Sequence, residues 1–213
     1  MTRRRPIRAV LWDFGGVITT SPFTAFNAYE AEAELPKDFI RGLNATNPDA
    51  NAWARLERND VDPGQFCDLF EAEARAAGHS LDARHVLTIL HGAARPEMVA
   101  AVRALAGRYK TACLTNNMNT DPRPPDRARE IAEIMALFDL VVESSKIGVR
   151  KPDPRFYEIA CEMLAVDPAE AVFLDDLGIN LKPARALGMH TIKVGAPDQA
   201  LADLEACLGH SLR

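Results

Sequence analysis

Apolar residues gather in five short runs, each closed by turn-forming or charged residues: 9–12, 111–114, 140–142, 171–174 and 191–194. The first four lack the apolar–polar alternation of a strand with one wet face. Runs of this length and uniformity fit strands buried on both sides of a parallel sheet. Between the later runs, apolar positions recur at helical spacing over 97–106, 127–137, 154–164 and 181–187. Asp153-Pro154 supplies an N-cap followed by a proline at the first helical position, and Gly188 supplies a C-terminal stop. Strand alternating with helix predicts an α/β domain with a doubly wound sheet.

The interval between the first two runs breaks this rhythm. Residues 22–95 contain no convincing strand, but helical patterns cover 23–35 and 63–77. A crossover of that length is too long to be a plain connection. It predicts an inserted all-helical unit over 21–95, with 1–20 and 96–213 forming the α/β part. Trp53, Phe66 and Phe70 fall in the insert, where helix packing is their expected task. The stretch from Asn119 to Pro125 reads as a proline-rich surface loop after the second strand.

Composition narrows the picture modestly. The chain has 213 residues, 47% hydrophobic and 26% charged, as expected of a globular protein with a real core. Its 25 Lys+Arg against 30 Asp+Glu give a net charge of -5, which argues against a nucleic-acid partner. The basic cluster Arg3, Arg4, Arg5 and Arg8 is followed by only four apolar residues before Asp13. That run is too short for a signal sequence or a membrane span, so a soluble cytoplasmic protein is expected. Cys67, Cys113, Cys161 and Cys207 are scattered without metal-site spacing and read as small buried hydrophobes. A homodimer is left open.

In an open α/β sheet the ligand lies beyond the carboxyl ends of the strands. There this sequence places Asp13-Phe14-Gly15-Gly16-Val17, then Thr115-Asn116-Asn117, then Asp175-Asp176. Lys151 precedes the Asp153-Pro154 helix start. Each piece alone is ordinary loop chemistry, but their joint arrival at strand ends suits phosphoryl transfer. Asp13 can serve as a carboxylate nucleophile on phosphorus. Mg²⁺, which prefers oxygen ligands, can be held by Asp13, Asp176 and the Gly15 carbonyl. Thr115 and Asn116 can donate to phosphate oxygens, and Lys151 can offset charge. Asn180 reads equally as a helix-start residue or as support for Lys151 or Asp175, and Lys146 as a surface lysine.

Asp13-Phe-Gly-Gly-Val, Leu114-Thr-Asn-Asn, Arg150-Lys-Pro-Asp-Pro and Phe173-Leu-Asp-Asp-Leu-Gly-Ile-Asn together resemble the four motifs of the haloacid dehalogenase superfamily. The likeness is strongest to the N-terminal phosphatase domain of soluble epoxide hydrolases and to related bacterial proteins. It implies a Rossmann-like core with a helical cap of the C1 type inserted after the first motif. It also implies Asp13 as nucleophile and Mg²⁺ ligand, Asp176 as a direct ligand and Asp175 as a water-mediated one. By the same resemblance Thr115 and Asn116 bind phosphate, Lys151 is the third-motif lysine, and the substrate is a small phosphorylated molecule.

The sequence departs from the family pattern at Gly15, where its phosphatases usually carry a second Asp as general acid and base. That group is typically worth about a hundred- to ten-thousand-fold in rate. Its absence predicts a bias toward good leaving groups, with a water, a cap residue, or Thr19, Thr20 or Ser21 as substitutes. Two other readings remain. One is a catalytically weak or non-catalytic module that binds a phosphorylated ligand; the other is a metal-free 2-haloacid dehalogenase. Asp175-Asp176 opposes the dehalogenase, because extra carboxylates beside Asp13 without a cation repel it.

Overall fold

The computed structural model describes residues 5–118 and 125–212. Of the predicted proline-rich loop, 119–124 lie outside the described residues, as do Arg3 and Arg4. Five strands form one parallel sheet: β1 (Ala9–Trp12), β2 (Lys110–Thr115), β3 (Leu140–Glu143), β4 (Ala171–Asp175) and β5 (His190–Lys193). Their order is β3-β2-β1-β4-β5, so the first strand is central. Each strand matches one of the five runs to within one residue at either end.

The described helices in chain order start with α1 (Phe23–Glu32), α2 (Phe39–Ala45), α3 (Ala52–Glu57), α4 (Pro63–Ala76) and α5 (Ala83–Thr88). Then come α6 (Pro96–Leu105), α7 (Pro125–Met135), α8 (Ser144–Ile147), α9 (Pro154–Leu164), α10 (Gly178–Ala186) and α11 (Pro197–Leu208). The short helices and α11 are elements that the apolar periodicity does not single out. Helix α10 begins three residues before the predicted start, because its first turn opens with Gly178, an exposed Ile179 and the polar Asn180, where no apolar face begins.

Successive side chains of a strand point to opposite faces, so β1 feeds two apolar layers. Val10 and Trp12 join Met98, Val102, Leu201 and Leu204 on one face. Ala9 and Leu11 join Phe156, Tyr157, Phe173 and Leu181 on the other. Every residue of β1 is fully buried, which is why its sequence carries no alternation. Burying each large side chain in these layers stabilises the fold by roughly 2 kcal/mol. The helix stop at Gly188 is as predicted: its φ of 100° suits glycine, and the Met189 N–H reaches back to the Ala184 carbonyl at 3.1 Å.

Helices α1 to α5 gather around an apolar cluster of their own, with Phe26, Ile40, Trp53, Phe66, Phe70 and Val86. Trp53 meets Phe66 edge-on with ring centroids 4.8 Å apart. Asp62 caps α4 in a reciprocal box with Gln65, and Pro63 opens the helix. The two chain segments joining this region to the sheet run side by side. Thr19 and Ala94 form an antiparallel bridge, and the Thr20 N–H donates to the Ala93 carbonyl at 2.8 Å. No described helix is long and apolar enough to cross a membrane.

Candidate active site

Parallel pairing sets the site's location. Trp12 lies level with Cys113 on β2 and Leu174 on β4, so the residues that follow each strand emerge at one edge. The Asp13 N–H donates to the Leu174 carbonyl at 2.8 Å and carries the ladder one residue further. Asp13, Asp175 and Asp176 then offer carboxylate oxygens within 4.8 Å of one another.

Lys151 joins this group from a different segment. It is 1% exposed, and its Nζ donates to Asp13 Oδ1 at 2.8 Å and to Asp175 Oδ2 at 2.9 Å. Asp175 is held on its other sides by Asn180 Nδ2, 3.1 and 3.0 Å from its two oxygens, and by the Leu177 N–H at 2.8 Å. Tyr157 donates its hydroxyl to the Asn180 carbonyl at 2.7 Å. Of the two roles read for Asn180, both apply: it sits in the first turn of α10 and orients Asp175. Lys146 is exposed and pairs with Glu143, as a surface lysine does.

One lysine does not neutralise three carboxylates. Burial pushes Asp13 well above the ordinary aspartate range; Lys151 pulls against this with its charge and hydrogen bond, while Asp175 and Asp176 add repulsion in the same direction as burial. Asp176 is pushed up to about 6 by burial first and by Asp175 second. For Lys151, burial alone favours the neutral amine, but the charges of Asp13 and Asp175 outweigh it and raise its pKa. A hard divalent cation fits such an oxygen-only, over-anionic cluster.

The turn after β1 contains two glycines with different reasons to be there. Gly16 has φ 80°, and a Cβ on it would lie 2.3 Å from Asp176 Oδ2. Gly15 has φ -69° and ψ 127°, and a Cβ there would meet nothing within 4 Å. Conformation and space demand Gly16; neither demands Gly15.

The strand-two residues divide their work. Thr115 faces a cleft of about 420 Å³ together with Gly15, Asn116, Trp53, Glu57 and Leu90. The side chain of Asn116 is committed elsewhere. Its Nδ2 donates to Glu57 Oε2 and to the Lys151 carbonyl, both at 3.0 Å, and its Oδ1 accepts from the Lys151 N–H at 2.9 Å. That leaves the Asn116 main chain, not its amide, to face a ligand. Asn117 is a structural neighbour: it donates to Glu143 at 2.9 Å and accepts from Ser145 Oγ at 2.9 Å.

Glu57 has no signal in the sequence, and Arg150 enters there only as the first residue of the Arg150-Lys-Pro-Asp-Pro motif, with no role of its own. Arg150 Nε donates to Glu57 Oε2 at 2.6 Å. Nothing in the local pattern marks their pairing, since the two lie 93 positions apart. Thr19 and Thr20 spend their hydroxyls on the backbone, Thr19 toward Phe14 and Thr20 accepting from the Ala93 N–H at 2.9 Å.

The family model for haloacid dehalogenase-like hydrolases matches residues 7–188. The chain belongs to this family. It is 35% identical over 223 residues to acyl-CoA dehydrogenase family member 10 of Mus musculus, covering 98% of this chain and 20% of that protein. It is 31% identical over 216 residues to bifunctional epoxide hydrolase 2 of Mus musculus, covering 95% of this chain and 39% of that protein. The chain therefore spans only a fifth to two-fifths of these two relatives. Against the sesquiterpene phosphatase astK of Aspergillus oryzae it is 28% identical over 185 residues, covering 85% and 87%. The fold matches a mutant of the haloacid dehalogenase family enzyme bt-2542 from Bacteroides thetaiotaomicron, solved with magnesium and inorganic phosphate. That match has a TM-score of 0.66 at 19% identity and covers 89% and 96% of the two chains. Haloacid dehalogenases are also among the similar proteins. This haloacid dehalogenase-like chain is thus a hydrolase with phosphatase relatives and a Rossmann-like α/β core.

Proposed function

We propose that this hydrolase is a Mg²⁺-dependent phosphatase in which Asp13 attacks the phosphorus of a small phosphomonoester. The observation that carries the proposal is the cluster in which one buried lysine bridges Asp13 and Asp175 while Asp176 crowds them. Asp13, Asp176 and the Gly15 carbonyl would hold Mg²⁺, with Asp175 helping through water; when bound, the ion offsets the repulsion between carboxylate and phosphate dianion.

The chain's own groups do the rest. Lys151 and the Phe14 N–H, at 2.8 and 2.6 Å, both donate to Asp13 Oδ1. Among the described residues nothing donates to Oδ2, which is the oxygen we assign to bond formation. The Thr115 hydroxyl and the Asn116 main chain take the phosphate oxygens, and Lys151 balances charge as the P–O bond to the leaving group breaks. Water then opens the aspartyl-phosphate and frees Asp13.

We further assign residues 21–95 as a cap and 1–20 with 96–213 as the core. The cleft between them has apolar walls from Phe14, Trp53, Leu90, Met118, Ile131 and Met135. Those walls favour an apolar leaving group. The dehalogenase reading is weaker: it has no use for Asp176, whose charge raises the pKa of Asp13.

Phosphate release from an aryl phosphate, assayed with and without Mg²⁺, tests the proposal. Turnover is expected only with the metal, and Asp13→Asn should abolish it. Phosphate binding without turnover would favour a non-catalytic binding module instead.

A further inference from the structure

Glu57 closes a ring of contacts around the backbone of Lys151, and it does so from the helical insert. It is the last residue of α3, a helix with little freedom to shift. Asn51 caps that helix, its Oδ1 accepting from the Ala54 N–H at 2.8 Å. The same side chain donates through Nδ2 to the Asn44 and Thr46 carbonyls at 2.8 and 3.0 Å. Trp53 anchors the helix on Phe66 and Phe70.

A single oxygen of Glu57, Oε2, accepts from Asn116 Nδ2 at 3.0 Å and from Arg150 Nε at 2.6 Å. Both donors support Lys151. Asn116 brackets its main chain on the N–H and on the carbonyl, and Arg150 is its chain neighbour. Arg150 makes a second tie to the insert, donating from Nη1 to the Pro48 carbonyl at 2.9 Å. The Arg150 and Glu57 side chains are 14% and 16% exposed, so solvent and salt screen this ion pair weakly. A primary amide has two N–H groups, and both of those on Asn116 are spent here.

We propose that Glu57 is a positioning residue: it fixes Asn116 and Arg150, and through them holds Lys151 where its Nζ bridges Asp13 and Asp175. The inference rests on the phosphatase reading above, in which Lys151 balances charge. Glu57 transfers no proton in this account. It makes the placement of a core lysine depend on the seating of the insert, so the cleft and the cationic group are set together. Neither half alone supplies the full ring, because its acceptor lies in the insert and its donors lie in the core.

Steady-state kinetics on an aryl phosphate with Mg²⁺ test this in the full chain, using Glu57→Ala, Glu57→Gln, Asp60→Ala as a control and an Arg150→Ala/Glu57→Ala double variant. Asp60 pairs with Arg58 on the same insert but touches neither Asn116 nor Arg150. Displacing a catalytic group through its support costs about 10- to 100-fold, so Glu57→Ala should lower kcat by that factor with KM within about twofold. Glu57→Gln, which keeps an acceptor oxygen, should recover most of the loss, and the double variant should be no worse than Glu57→Ala.

Hydrogen exchange without substrate supplies an independent readout. Glu57→Ala should speed exchange at the Lys151 amide about tenfold or more, and Asp60→Ala should leave it unchanged. If wild-type protein releases no phosphate but this exchange result appears, the phosphatase reading fails and the positioning link stands. Unchanged exchange and unchanged kcat in Glu57→Ala would overturn the link. So would a Glu57→Gln variant as impaired as Glu57→Ala with a flattened pH profile, because that marks a proton-transfer role.

Discussion

Asp176 rests its carboxylate against Gly16, so closely that a Cβ on the glycine would sit 2.3 Å from Oδ2. The two residues come from different strand ends and share one space. Gly16→Ala must therefore displace a carboxylate we assign to Mg²⁺ and also force a side chain onto a φ of 80°. The left-handed backbone alone costs about 1–2 kcal/mol. Chemical denaturation should report that loss, and titration of Mg²⁺ should report weaker binding. Gly15→Ala, one residue earlier, should show neither defect.

Gly15 has room for a side chain and an ordinary φ of -69°. Gly15→Asp should therefore fold, and it restores a carboxyl beside the leaving group. General acid–base help of about a hundredfold or more is expected on alkyl phosphates, with little change on aryl phosphates whose leaving groups need no proton. Equal effects on both substrate classes would show that protonation of the leaving group does not limit turnover.

Lys151→Met should remove activity and stability together. Methionine fills the buried space but leaves Asp13 and Asp175 facing each other without a cation. Breaking a buried ion pair from one side costs about 3–5 kcal/mol. Thermal melting should therefore drop in the variant, and the drop should shrink as pH falls, because Asp13, whose carboxyl burial already pushes upward, can take up a proton. Lys151→Arg should not rescue catalysis, since a planar guanidinium cannot occupy a compact ammonium site.

The pH dependence of stability has a definite sign at Asp176. Its folded pKa of about 6 exceeds the ordinary value of 3.8. Across that window the folded state holds a proton that the unfolded chain has released. The contribution of Asp176 to stability is therefore fully present below about 3.8 and is lost as pH rises through about 6. Without metal, Asp176→Asn should melt higher than wild type at pH 7 and nearly level with it at pH 4. Mg²⁺ should raise the wild-type melting point at pH 7 far more than at pH 5, and should leave the variant almost unmoved. An Asp176→Asn gain that is constant across pH would refute this assignment.

Much of the molecule was legible in one dimension because its signals are local. The sheet was readable because parallel strands buried on both faces must be apolar at every position, as Ala9–Trp12 is. Gly188 and the Asp153-Pro154 pair marked helix ends because backbone geometry there admits few residue types. The site was readable as a list, since residues following parallel strands must arrive at one edge. Asp13, Lys151, Asp175 and Asp176 are all there. What that list could not contain is who holds whom. The Asn116 amide, read from sequence as a phosphate donor, is spent on Lys151 and Glu57. The partner Glu57 lies 59 positions away in a helix with no distinguishing pattern. Hydrogen bonds of that kind depend on how two separately packed regions meet, and only the tertiary structure fixes that. The same holds for the two glycines, alike on paper: packing against Asp176 makes one obligatory and leaves the other open.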